Sequence, residues 1–429
     1  MAFQIFAISF SVFFLMGMPI AISMISSSFL YCLLMNVDLA FMGTHMFTGL
    51  NTFVLIAIPM FILTAEVMNC ASVSDRIFEF CNSLVGWIPG GLGHVNIATS
   101  IIFAGMSGSA VADVGGVGHL CYRAMVTEGF DEEFSASITI SSSTVGPIIP
   151  PSIPAVVYAM VANVSVGKLL FGGILPGFLM GVILMVYVYF VSKKRNYPKK
   201  PFVSWRALCA EILVTFVKCI PPLLTPVILL GGIYLGVVTA TEASALAVLY
   251  AVLLGFLVYR AMTIKDFFGC LKKVFITSGT ILLIIPAAKV FGFVLTRENL
   301  QIIIFDAVTG FAGTNPVLIA GCIIVLFVVL GCFNDPNVNI ILFVPMVLPL
   351  IDAAGFDPIH MGICIIITAM IGNITPPVGI VTMTVCAIEK LKFEKVCAAL
   401  IPLVIILFVY VIMLLVFPQI VMFFPNQVG

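Results

Sequence analysis

Charge is scarce in this sequence. Asp, Glu, Lys and Arg make up 9% of its 429 residues, and the 19 basic and 19 acidic side chains cancel. A soluble fold needs many more charges to cover its exterior, so a soluble fold is excluded. Zero net charge also removes any electrostatic case for nucleic acid. Histidine occurs four times, at His45, His94, His119 and His360, with no ligand spacing, which argues against a metal site. The twelve cysteines stand singly, without any C-x-x-C, and most lie inside apolar runs. They read as small buried hydrophobes. There is no H-E-x-x-H, no Asp-rich pyrophosphate motif and no pair of intramembrane aspartates, which argues against a membrane enzyme.

What fills the chain instead is apolar: 62% of the residues are hydrophobic. Runs of about 18 residues or more recur along the whole length, as a hydrocarbon core of about 30 Å requires. The sequence predicts an all-α polytopic membrane protein forming a single integral membrane domain over 1–429. Full spans are expected near 3–22, 24–42, 50–69, 135–160, 168–192, 210–231, 233–259, 270–292, 360–388 and 398–424. The first lacks the basic flank of a signal peptide and reads as a retained span.

The chain also repeats. Val145–Ser152 reads VGPIIPPS, and 226 residues later the chain reads IGNITPPV. Gly129-Phe130-Asp131 recurs as Gly355-Phe356-Asp357, Pro176 as Pro402, and Ile58-Pro59 as Ile285-Pro286 one residue out of step. Repeat one covers about 50–192 and repeat two about 270–424. Two apolar stretches, 93–121 and 316–352, are too long for one crossing and polar in the middle. They contain GMSGS at 105–109 and GCFNDPN at 331–337. Each is expected to form a re-entrant helical hairpin, because polar backbone survives at membrane depth only inside protein or beside a water-filled cavity. Residues 71–89 alternate charged and apolar side chains and predict an amphipathic helix at the interface or in a loop, with 296–312 as its counterpart.

Basic residues set the orientation. Ten crossings that start outside place 15 of the 19 Lys and Arg in the inner loops near 70–92, 122–134, 193–209, 260–273 and 389–397. The positive-inside rule then puts both termini outside. Five crossings separate the matching spans, so the two copies run in opposite directions: an inverted repeat with two re-entrant hairpins and two broken helices.

A helix broken at Pro or Gly exposes carbonyls at one half-helix end and N–H groups at the other. Carbonyls with Ser, Thr and Asn oxygens suit a hard cation such as sodium, and the positive half-helix ends suit a carboxylate. A kinked helix whose freed carbonyls bond a neighbouring hydroxyl is the bland alternative. Intramembrane charge is sparse, and Glu66, Asp113, Glu242, Lys289 and Asp335 are the cases that stand out. Asp335 can join a cation cage, bind a proton or cap the second hairpin arm. Glu242 can contact a neighbouring subunit or cap its own helix, the cap being favoured, and Lys289 is expected to snorkel. Ser141, Ser142 and Ser143, before the first break, can line a substrate cavity or allow close helix packing.

With these residues in hand, the chain resembles the large membrane subunit of a tripartite ATP-independent periplasmic (TRAP) transporter, the DctM family. The resemblance rests on GMSGSAVADVGG (105–116), STVGPIIPPSIPAVVYA (143–159), GKLLFGGILPG (167–177), GGIYLGVVTATEASALA (231–247) and IGNITPPVG (371–379). Asn334 stands before Asp335 where an apolar residue is expected. The resemblance implies an elevator-type fold in a bacterial inner membrane, with scaffold spans near 1–42 and 210–259. It implies a small four-helix membrane subunit and a periplasmic substrate-binding protein as partners, no enzyme activity, and no cofactor beyond sodium as coupling ion. It implies sodium-driven import of an organic acid: a dicarboxylate, a keto acid or a sugar acid such as sialic acid. Carried onto this chain, one sodium site falls around Ser107, Ser109, Thr144, Gly146 and Pro147. The other falls around Asn334, Asp335, Gly372, Asn373 and Thr375. Substrate would lie near the three serines and near Pro150, Pro151, Pro376 and Pro377. A stand-alone dicarboxylate carrier of related architecture and a channel are the rival readings.

Overall fold

The computed structural model describes residues 2–71, 73–201, 204–313 and 315–427. Every regular element among them is helical. The chain opens with α1 (Ala2–Leu15), α2 (Ile20–Leu34) and α3 (Leu39–Leu50). Then follow α4 (Ala57–Cys70), α5 (Val73–Val85), α6 (Gly91–Ser107), α7 (Ala110–Asp113), α8 (His119–Thr127), α9 (Glu132–Ser143), α10 (Ile153–Ala162) and α11 (Val166–Arg195). Two connecting helices, α12 (Trp205–Tyr234) and α13 (Ala240–Leu253), lead to α14 (Ile264–Arg297) and α15 (Leu300–Ala312). The chain ends with α16 (Pro316–Phe333), α17 (Pro336–Ala353), α18 (Pro358–Ile374), α19 (Ile380–Glu389), α20 (Phe393–Val416) and α21 (Pro418–Met422). Among the described residues, eight helices are long and apolar enough to cross a membrane.

Local chemistry explains the joints. The Gly-Phe-Asp triplets make the same turn twice. Gly129 and Gly355 sit at φ +94° and +73°, where a side chain would be strained. Phe130 N–H donates to Met125 O and Phe356 N–H to Ile351 O, both at 3.1 Å. This six-to-one bond closes a helix behind a left-handed glycine. The aspartates then diverge. Asp357 Oδ1 caps α18 by accepting from Ile359 N (2.7 Å) and His360 N (3.2 Å). Asp131 makes no cap bond and instead takes Arg195 Nη1 at 2.6 Å and Tyr197 Oη at 2.5 Å. Asp357→Ala is therefore expected to cost about 1 kcal/mol of stability through the lost cap, read as a lowered unfolding temperature of the purified chain.

The order of elements recurs between the two halves. α5 and α15 run from 73 to 85 and from 300 to 312; α10 and α19 run from 153 to 162 and from 380 to 389. α9 and α18 start at 132 and 358 and stop at the proline-rich segments, where Pro lacks the N–H a helix needs. Pro150–Pro151 and Pro376–Pro377 are both cis.

Packing sorts the helices into two groups. α1 to α4 and α12 to α14 pack together, with α5 against α12. In the other group the two halves interlock: α10 lies on α17, α20 on α9, and α18 between α16 and α20. Tyrosine hydroxyls tie the halves across these seams. Tyr158 donates to Pro358 O at 2.8 Å and Tyr410 to Pro176 O at 2.5 Å. Glu389, at the end of α19, pairs with His119 of α8. Lipid provides no hydrophobic drive between helices, so close approach at small residues carries such packing. Gly331 of α16 faces Gly372 of α18, and a Cβ added to Gly372 would stand 2.7 Å from both Gly331 Cα and Val328 O.

Glu242 behaves as expected from its sequence. Its carboxylate accepts from Thr239 N (2.8 Å) and Thr239 Oγ1 (2.9 Å), completing a capping box at the start of α13. Lys289 lies exposed on α14, its stem against Gly49 of α3. The segment after α4 is helical as α5, which buries Val73, Ile77, Phe80 and Cys81 on one side. In α15 only Ala312 is buried.

Candidate functional site

Between the two packing groups lies a cavity of about 880 Å³. One wall carries the tip of the first hairpin, Ser107 to Ala110, and the start of the second arm of the other, Asp335 to Asn337. Pro147 from the first break and Asn373 from the second complete that wall. The opposite wall comes from α4, α5 and α14, with Glu66, Asn69, Lys273 and Thr277 among its residues.

Each hairpin tip touches the broken helix of its own half. Gly108 turns the first tip at φ +62°, with no room for a Cβ against Pro151 O. At the second tip, Gly379 N–H donates to Cys332 O at 3.2 Å across the break. Hydroxyls bridge both breaks: Ser152 Oγ bonds Pro147 O, and Thr382 Oγ1 bonds Ile374 O at 2.8 Å. One freed carbonyl in each break is thus taken internally, as in an ordinary kinked helix.

Of the ten residues expected to hold sodium, Ser107, Ser109, Pro147, Asp335 and Asn373 line the cavity. Ser109 caps α7, accepting from Ala112 N at 3.4 Å. Asp335 Oδ1 caps α17, accepting from Asn337 N and Asn337 Nδ2, both at 2.9 Å. The others are not among the lining residues. Thr144 and Thr375 turn their hydroxyls back to Ser141 O and Ile371 O, each at 2.6 Å. Gly146 lies beside the Ser109 carbonyl and Gly372 against α16. Asn334 ends α16 through its N–H to Leu330 O at 3.0 Å.

The residues expected near substrate are not brought to this cavity. Ser142 Oγ bonds Asn96 Oδ1 at 3.1 Å and lies 3.2 Å from Ser100 Oγ, which ties α9 to α6. Ser143 Oγ returns to Ile140 O at 2.8 Å. Ser141 Oγ is buried without a partner. Pro150 and Pro151 are buried, whereas Pro376 and Pro377 are exposed.

Three polar residues stand out that the sequence did not place in a site. Asp113 and Asn339 are both 0% exposed, and no oxygen of either side chain has a hydrogen-bond partner. Asn337 Oδ1 and Asn373 Oδ1 are in the same condition. Burying such atoms unpaired costs about 1–3 kcal/mol each, and a bound hard cation would satisfy them. The signal for Asp113 and Asn339 was present: each lies four residues beyond a tip residue, Ser109 or Asp335, at the same repeat offset. The donors are oxygens only, from carboxylates, amides and hydroxyls, which suits a hard cation rather than a soft metal.

The chain has the fold of a helical membrane transporter, as two solved structures show. The fold is similar to that of the YdaH transporter of Alcanivorax borkumensis, with a TM-score of 0.60 at 11% identity, over 86% of this chain and 85% of that one. It is also similar to MtrF of Neisseria gonorrhoeae, with a TM-score of 0.56 at 14% identity, over 86% and 82%. At these identities the likeness concerns the fold alone. Sequence relatives are closer. The sialic acid TRAP transporter large permease protein SiaM of Vibrio cholerae is 38% identical over 96% of this chain and 95% of its own length. The sialic acid permease protein SiaT of Haemophilus influenzae is 34% identical, over 96% of this chain and 66% of that protein. The C4-dicarboxylate large permease protein DctM of Vibrio cholerae is 33% identical over 96% and 95%. The family described as "Tripartite ATP-independent periplasmic transporter, DctM component" matches residues 7–420, and the chain belongs to it. It is a multi-pass permease subunit and not an enzyme.

Proposed function

We propose that this chain is the translocating subunit of a sodium-coupled importer of an organic acid, working by an elevator motion. The observation that carries the reading is the convergence of both hairpin tips and both helix breaks on one cavity, with buried oxygens of Asn337 and Asn373 left unpartnered beside it. Two cages are drawn from the lining residues, Ser107, Ser109 and Pro147 in the first half and Asp335, Asn337 and Asn373 in the second, with Asp113 and Asn339, buried four residues past each tip and not among the lining residues, as further oxygens. The interlocked helices α6 to α11 and α16 to α20 form the moving body. α1 to α4 and α12 to α14 form the scaffold.

The relatives' substrates, sialic acid and C4-dicarboxylates, support an organic anion as cargo. A lone carboxylate cannot cross hydrocarbon at acceptable cost. Sodium bound beside it neutralises the pair before the body moves. The membrane potential adds about 2.3 kcal/mol per net charge per 100 mV, so two sodium ions with one monoanion make the step electrogenic. Family membership supports an inner-membrane location, a small four-helix membrane subunit and a periplasmic binding protein. The basic loops support periplasmic termini. The cavity's far wall runs along α4 from Ile62 to Cys70 and along α14 from Lys273 to Ile284, and its Cys70 and Lys273 ends stand next to basic loops, which supports an inward-open arrangement.

The test is uptake by proteoliposomes holding the chain with its small subunit and binding protein. An inward sodium gradient should drive accumulation of a carboxylate, and an inside-negative potential should raise the rate. Uptake that follows a proton gradient and ignores sodium would overturn the sodium reading and point to proton transfer through Asp113 or Asp335.

A further inference from the structure

The proposed cargo is an anion, yet the charged side chains around the cavity are mostly acidic. Glu66, Asp75 and Asp335 line it, and Lys273 is the one cation among the described lining residues. Lys273 stands on α14, on the wall opposite the hairpin tips. Its Nζ lies 3.3 Å from Glu66 Oε2 of α4. The two partners are not equally placed. The Lys273 side chain is 67% exposed and that of Glu66 is 22% exposed. The carboxylate is therefore held against the wall while the ammonium faces the open space. An ammonium carries three N–H donors, and a single carboxylate contact leaves capacity for a second. Thr277 and Thr280 follow Lys273 on the same face of α14 and also line the cavity, but Thr280 Oγ1 donates to Ile276 O of its own helix at 3.1 Å. One cation with the hydroxyl of Thr277 one turn on is a donor set that a carboxylate with a neighbouring polar group can use.

We propose that Lys273 takes the carboxylate of the cargo and that Glu66 is its internal competitor. This inference rests on the reading of the cargo as an organic anion. Without cargo, Glu66 neutralises the ammonium, which would otherwise stand uncompensated in the cavity wall. A substrate carboxylate then replaces one carboxylate by another, so the exchange keeps the local charge balance and costs little. Because α14 belongs to the wall facing the hairpins, the contact forms only when the hairpin body stands against this wall. Lys273 therefore holds cargo on the side from which the cavity is entered in this conformation.

The experiment measures the concentration of carboxylate on the inner face, where this cavity opens, that half-saturates exchange with labelled cargo during uptake by the reconstituted complex. The probes are sialic acid and succinate, and whichever the unsubstituted protein carries is used. Lys273→Gln is expected to raise that concentration about tenfold or more, as loss of a charged hydrogen bond predicts. Lys273→Arg is expected to stay within about threefold of the unsubstituted value, since it keeps the charge. Glu66→Gln is expected to lower it about threefold by removing the competitor. The sodium dependence should be unchanged in all three, which separates the effect from damage to the cages. An ion pair with only a structural role predicts the opposite pattern: Lys273→Gln and Glu66→Gln would shift uptake in the same direction, and that result overturns the proposal. So does an unchanged half-saturation in Lys273→Gln that still elutes as folded protein. If the unsubstituted complex carries no carboxylate on a sodium gradient, the underlying reading fails and this inference with it.

Discussion

Sodium is expected to stabilise the purified chain by about 2.7 kcal/mol for each independent site when present at about a hundred times its dissociation constant. Equal potassium or choline should not do so. The physical source is the set of unpartnered buried oxygens. Asn373 is 3% exposed and its Oδ1 has no partner; Asn339 is fully buried with both polar side-chain atoms unpartnered. Each is a standing penalty that a bound cation removes, so binding should appear as a higher unfolding temperature without any substrate. Asn373→Ala should remove the share of the second half, and Ser107→Ala that of the first. In choline neither variant should lose stability through a broken hydrogen bond, because neither side chain makes a strong bond of its own, and Asn373→Ala also removes an unpartnered oxygen. Ser107 Oγ reaches only Ser109 N and O, at 3.5 Å. A sodium response that both substitutions leave intact would place the ion elsewhere, and an equal response to potassium would remove the case for sodium.

Gly372→Ala should be among the damaging single methyls in the molecule's second half. The added Cβ would stand 2.7 Å from Gly331 Cα and 2.7 Å from Val328 O, and both are backbone of α16. No flexible side chain is available to yield, so one helix must move. Overpacking of this kind costs about 1–3 kcal/mol, and more when backbone shifts; about 3 kcal/mol is expected here. The displacement also carries function. α16 ends at Phe333, two residues before Asp335, so moving it moves the second tip relative to Asn373. The sodium response of the second half should therefore fall with the stability. Gly321→Ala, also on α16, has nothing within 4 Å of its new Cβ and should be close to neutral. Comparing the two by thermal unfolding in sodium and in choline isolates the close contact from helix propensity. Equal behaviour of the two variants would refute the argument from packing.

Much of the fold was legible in the chain. Double prolines within apolar runs stop helices because proline has neither the N–H nor the freedom that a helix requires. The places where α9 and α18 end therefore follow from the residues. The Gly-Phe-Asp triplets gave the joints before these helices, since only glycine enters the left-handed region without strain. The capping role of Glu242 followed from Thr239 three residues earlier. The site was half legible. Ser107, Ser109, Asp335 and Asn373 come to the cavity as polar residues at tips and breaks, whereas Thr144 and Thr375 spend their hydroxyls on their own helices. Asp113 and Asn339 were within reach of the repeat offset. Nothing in the sequence announced the pair of Glu66 and Lys273, which are 207 residues apart and meet only because α4 packs on α14.

What the sequence determined by itself is therefore everything set by local chemistry and solvent: membrane residence, where helices start and stop, and the twofold recurrence of its motifs. Composition fixes the solvent, and proline, glycine and capping residues act on the backbone within a few positions. Only the tertiary structure decided which polar groups face one another. The packing of the two groups of helices sets the cavity, aims Asp335 and Asn373 into it, leaves the oxygens of Asp113 and Asn339 without partners, and turns Ser142 and Ser143 towards neighbouring backbone and side chains. A side chain's partner depends on the helix opposite, and that contact is fixed by close packing at sites such as Gly331 and Gly372 rather than by anything within reach along the chain.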